Sequence, residues 1–68
     1  MKVEEAILYL LAEKNGGMIA EQLATEINRR HLSVRKDGLP VSVKQVWYAV
    51  LTHKETFALA EGRIMLII

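Results

Sequence analysis

The sequence predicts an α+β domain of three helices followed by a C-terminal β-hairpin, and three observations carry that expectation. Apolar residues recur at helical spacing in three separate stretches, Gly-bearing turns or a polar loop separate those stretches, and after residue 54 the pattern changes to short apolar runs around a glycine. The chain has 68 residues, so residues 1–68 are read as one domain. Hydrophobic residues make up 51% and charged residues 25%, a balance that excludes a disordered or low-complexity chain. With no cysteine, neither a disulfide nor a thiolate metal site supports the small core, so apolar packing has to hold it.

The first helix is expected over roughly residues 2 to 14. Val3, Ile7, Leu10, Leu11 and Lys14 fall at helical offsets, Glu4 and Glu5 lie in the first turn where the helix dipole favours anions, and Asn15-Gly16-Gly17 ends the run. The second covers Ile19 to Arg30, with Ile19, Leu23 and Ile27 spaced by four and the small Ala20 and Ala24 beside them, where another helix can approach closely. From His31 to Val41 the period is lost, and Asp37-Gly38 with Pro40 behind it marks a loop or small hairpin.

Ser42 followed three residues later by Gln45 has capping-box spacing and opens the third helix. Val43, Val46, Trp47, Val50 and Leu51 form its apolar stripe, Lys44, Gln45, Tyr48 and Thr52 the opposite face, and it ends near His53 or Lys54. Trp47 and Phe57 are core residues in this reading, and Tyr9 is half buried beside the first stripe. Phe57–Leu59 and Arg63–Ile68 are the two strands, joined through Ala60-Glu61-Gly62. The second is apolar from Ile64 onward, so both its faces need cover or one meets another chain.

The net charge of +1 conceals a division. Residues 1–27 carry a balance of −3. Residues 28–54 set Arg29, Arg30, Arg35, Lys36, Lys44 and Lys54 against Asp37 alone, a balance of +5, and the last fourteen residues carry −1. A basic middle that spans the loop and third helix can present a positive field despite the small total, although solvated lysines and arginines on a polar loop would give the same count.

Three helices with a C-terminal hairpin is the element order of a winged helix-turn-helix, in which the third helix is offered to the DNA major groove and the hairpin is the wing. The candidate nucleic-acid-binding residues are therefore Arg35, Lys36, Lys44, Gln45, Tyr48 and Thr52. Gln pairs with adenine, Lys with guanine or phosphate, and Tyr and Thr hydroxyls with phosphate, while the same residues also suit a plain solvated face.

The second helix MIAEQLATEINRR, the loop ending in GLPVSVKQVWYAV and the closing TFALAEGRIMLI together resemble the HARE-type winged helix-turn-helix. That family includes bacterial RNA polymerase delta subunits, restriction-system proteins and eukaryotic chromatin factors. The resemblance implies a DNA-binding or adaptor module with Ser42 to His53 as recognition helix and the turn at Glu61 and Gly62 as wing tip. The acidic tip departs from a wing that grips phosphate.

No nucleophile triad, paired-acid set, phosphate loop or HxxxH spacing is visible, so an enzyme, a metal site, a cofactor and a small-molecule substrate are not expected. His31 and His53, each near a helix C-terminus, suit favourable dipole positions. With no secretory pattern at the N-terminus and no apolar run long enough for a membrane span, a cytoplasmic protein is expected. The partner expected first is duplex DNA. A rival reading is a protein interaction module that homodimerises through the final strand, and the two are compatible because many helix-turn-helix proteins read half-sites as dimers.

Overall fold

A computed structural model describes residues 1–67, in the order α1 (Val3–Glu13), α2 (Ala20–Arg29), α3 (Val43–Leu51), β1 (Phe57–Ala60) and β2 (Arg63–Leu66). This is the α+β layout of a winged helix, three helices and then a two-stranded antiparallel hairpin. Helix ends lie one to three residues inside the expected limits. At all three N-termini a side-chain oxygen reaches back to the capping residue's amide. Glu5 accepts from Lys2 at 2.8 Å, Gln22 from Ile19 at 3.4 Å and Gln45 from Ser42 at 3.0 Å. In α3 the Gln45 amide also donates to Ser42 Oγ at 3.2 Å, completing the capping box.

The three helices pack on one another, α1 also touches β2, and α3 touches β1. Ile7 and Leu10 of α1, Leu23 and Ile27 of α2, Val46 of α3 and Ile64 of β2 are the largest side chains wholly inside. Among the described residues no polar or charged residue is buried, so the core is held by apolar burial alone. Phe57 is inside as expected, and Trp47 lies partly buried against the core. Tyr9 is about half exposed.

Leu51 departs from the expected stripe. It is 52% exposed, and Ala49 is buried in its stead. Because α3 is wedged between α1 and α2, its contact face is broader than a single stripe and centres on Val46, Ala49 and Val50.

The hairpin pairs Phe57 with Leu66, Ala58 with Met65, Leu59 with Ile64 and Ala60 with Arg63. Its two-residue loop has positive φ at both Glu61 (54°) and Gly62 (79°), the requirement of a type I′ turn, which matches the natural twist of the flanking strands. On the other edge of β2, Ile64 exchanges two backbone hydrogen bonds with Met18: its amide donates at 2.8 Å and its carbonyl accepts at 3.1 Å. The final strand therefore has neighbours on both edges. Ile64 is buried, Met65 and Leu66 are partly buried, and Ile67 is exposed; β2 ends at Leu66, short of the expected strand, whose last residue, Ile68, lies outside the described residues, and Ala60, expected in the loop, pairs with Arg63 at the end of β1. Gly17 makes the Met18 contact possible. Its φ is +81°, and a Cβ there would lie 2.7 Å from the Ile64 carbonyl oxygen.

Residues 30–42 form a loop with no strand. α2 closes in a Schellman motif in which the His31 amide donates to Asn28 O (3.3 Å) and the Leu32 amide to Ile27 O (3.0 Å), with His31 at φ 53° in the left-handed position. Leu32 then packs on the core. Further along, Val41 is tied to α2 by a two-point clamp. Its amide donates to Asn28 Oδ1 at 2.8 Å, and Asn28 Nδ2 donates to its carbonyl at 2.9 Å.

Asn28→Ala removes both bonds of the clamp and is expected to cost about 2–3 kcal/mol in urea unfolding, because a partly buried amide and carbonyl lose their partners. A loss below about 0.5 kcal/mol would mean that water substitutes for the side chain. Gly17→Ala combines left-handed strain with a backbone clash and is expected to cost at least about 2 kcal/mol in the same measurement.

Candidate nucleic-acid interface

The outward side of α3 is set by what fixes its inward side. Val41 is buried, the Asn28 clamp holds its backbone, and Ser42 immediately starts the helix, so the first turn of α3 has little freedom. With Val46, Ala49 and Val50 turned inward, Lys44, Tyr48 and Thr52 face outward, and Tyr48 is 71% exposed. This side of α3 forms one wall of a groove whose other wall is Val3 and Glu4 of α1. A second, shallower hollow adjoins it through Val3 and Gln45, and is lined by Lys2 and by Ser33 to Asp37 of the loop.

Together the two hollows bring the six candidate residues onto one side of the molecule, yet not in equivalent states. Lys36 and Lys44 are exposed and, among the described residues, join no ion pair. Tyr48 is open to solvent. Arg35 donates to Asp37 Oδ2 at 2.6 Å and to Gln45 Oε1 at 3.3 Å. Gln45 Oε1 is thus held by both Arg35 and the Ser42 amide, so pairing with adenine through both amide atoms would require the capping box to open. The Thr52 hydroxyl donates back to the carbonyls of Tyr48 (2.7 Å) and Ala49 (3.2 Å), where it terminates the helix.

Lys2 also belongs to this surface, which no pattern in the sequence indicates. Only the fold brings the first turn of α1 beside the α2–α3 loop. His53 also lies here. Its Nδ1 is 2.8 Å from the Ala49 carbonyl, a contact that requires a proton on that nitrogen, and its Nε2 is 3.8 Å from Glu4. His53 thereby lies between the end of α3 and Glu4 of α1. His31 has a backbone role at the end of α2. Among the described residues no group of three or more His, Asp and Glu side chains is placed to hold a metal ion.

The basic middle segment is divided by the fold. Arg29 pairs with Glu26 of its own helix at 2.7 Å, and Arg30 bridges Glu26 (3.2 Å) and Glu13 of α1 (2.8 Å). These pairs border a second groove floored by Leu10 and Met18. Among the described residues, three of the six cations in residues 28–54 therefore lie in ion pairs, and Lys36, Lys44 and Lys54 join none. At the wing tip Glu61 is exposed, with Arg63 the nearest cation in sequence.

No protein-family model, curated protein or solved structure matches the chain at a significant level.

The hydrogen bonds from Arg29, reinforced by the positive charges of Arg29 and Arg30, hold the Glu26 carboxyl at about 2, below its usual 4.5. A depressed carboxyl contributes stability that is present above pH 4.5 and is lost as pH falls from 4.5 toward 2. Urea unfolding across that interval is expected to show a steeper decline for the natural chain than for Glu26→Gln. Parallel curves would remove Glu26 from the acid response.

Proposed function

We propose that the chain is a duplex-DNA-binding module of the winged helix class, similar to HARE-type domains, and that it acts by binding and not by catalysis. The observation that supports this reading is that Lys2, Lys36 and Lys44, which join no ion pair among the described residues, line two adjoining hollows beside α3, with Lys44 in the same groove as the open Tyr48. Lysines without carboxylate partners are the groups that replace counterions along a phosphate backbone, and a rigid helix between them sets the register of the contact. Tyr48 adds a flat apolar surface with a hydroxyl at its tip. Arg35 and Gln45 support the same face from the loop and the first turn, and the acidic wing tip leaves the work of contact to α3. A cytoplasmic location accompanies this reading, as does a role in transcription.

The rival reading, homodimerisation through the final strand, draws support from Leu59 and Ile67, which are 51% and 52% exposed at the hairpin. Edge pairing by β2 would have to displace Met18 from Ile64, so a dimer on this side would form through the face of the hairpin.

Three lysines neutralising three phosphates give an expected slope of log K against log salt of about −2.7. Titrating labelled protein with duplex DNA at several salt concentrations is expected to show that slope, with amide shifts concentrated in residues 35 to 53 and at Lys2. Lys36→Glu with Lys44→Glu is expected to abolish binding without lowering the melting temperature. No binding at low salt would refute the proposal. Sedimentation over a concentration series separates the rival: a dimer unaffected by the two lysine changes would favour it, and a monomer at high concentration would remove it.

A further inference from the structure

Resting on the DNA-binding reading, we infer a gate within the interface: Asp37 acts as an internal stand-in for phosphate on the Arg35 guanidinium and so sets the affinity of the surface. Arg35 has the donor geometry to grip a phosphate with two N–H groups, but one of those groups already donates to Asp37 Oδ2 at 2.6 Å and the other to Gln45 Oε1 at 3.3 Å. The competitor is built in. Asp37 is fixed at the turn, where Oδ1 accepts the Leu39 amide at 3.0 Å, leaving Oδ2 aimed at Arg35. The amide bond from Leu39, followed by the Arg35 contact, keeps this carboxyl below its usual range, in its anionic form at neutral pH.

Two consequences follow for the energetics of contact. A phosphate approaching Arg35 has to displace a carboxylate, so that arginine releases no counterion when it binds and adds little to the salt dependence. The same exchange leaves Asp37 facing the incoming backbone, and its repulsion weakens any loosely seated duplex. Lys36 and Lys44, with no such partner among the described residues, carry the attraction. Arg35 is thus held in reserve beside the first turn of α3 and engages fully only where the duplex approaches closely enough to replace Asp37.

Asp37→Asn tests this with little disturbance, because the Asn side-chain oxygen can still accept the Leu39 amide. In anisotropy titrations with a short labelled duplex, Asp37→Asn is expected to tighten binding by about two- to fivefold at low salt and to steepen the salt slope by about 0.9. In an Arg35→Gln background the same change is expected to have less than half that effect. Asp37→Ser, which keeps a turn-capping oxygen, is expected to behave like Asp37→Asn, with both variants melting close to the natural chain. Equal affinity and slope for Asp37→Asn and the natural chain would overturn the gate while leaving DNA binding in place. So would a gain that persists undiminished without Arg35, which would mark a general charge effect. Absence of binding by the natural chain and by all variants at low salt would overturn the DNA-binding reading and the gate with it.

Discussion

The pair of hydrogen bonds between the Asn28 side chain and the Val41 backbone is the constraint on which the outward surface depends. Eleven residues separate the expected end of the second helix from the start of the third, and a loop of that length defines no direction by itself. The clamp returns the chain to the last turn of α2 one residue before Ser42. The capping box then starts the helix, and the burial of Val46, Ala49 and Val50 fixes its rotation. Lys44 and Tyr48 face outward as a result of that sequence of constraints. A polar contact between residues on either side of the loop thus determines the orientation of the surface, while apolar burial supplies the stability.

Much of this was legible in the sequence. Helical spacing located α1, α2 and α3, the Ser42–Gln45 pair located the start of α3, and Glu61-Gly62 located the turn of the hairpin. These features depend on residues close together in the chain. What could not be read came from contacts between distant residues. Asn28 looks like any polar residue near a helix end until Val41 is seen beside it, and Met18 gives no sign of pairing with Ile64. A one-stripe pattern puts Leu51 inside because it takes no account of a helix with two neighbours. One further local signal is present in the sequence: Glu5 and Gln22 stand three residues after their caps, as Gln45 does, and each reaches back to the capping amide.

Charge followed the same division between composition and placement. Counting along the chain puts +5 in its middle, but Arg29 is paired with Glu26 and Arg30 with both Glu26 and Glu13. Lys2, from the acidic N-terminal part, joins Lys36 and Lys44 instead. The useful quantity is thus the set of cations that share a face and lack a carboxylate, because only those change their ionic surroundings when an anion arrives.

The two hydrogen bonds between Met18 and Ile64 also bear on how the chain reaches its fold. They close a loop of about 46 residues, so this contact carries a loop-closure cost that the surrounding packing has to offset. A hairpin of four-residue strands has little stability alone, and α1 and α2 without Ile64 lack one of the largest side chains of their core. The N-terminal helices and the C-terminal wing are therefore expected to form and dissolve as one cooperative unit, and amide exchange at the two ends of the chain should report the same opening.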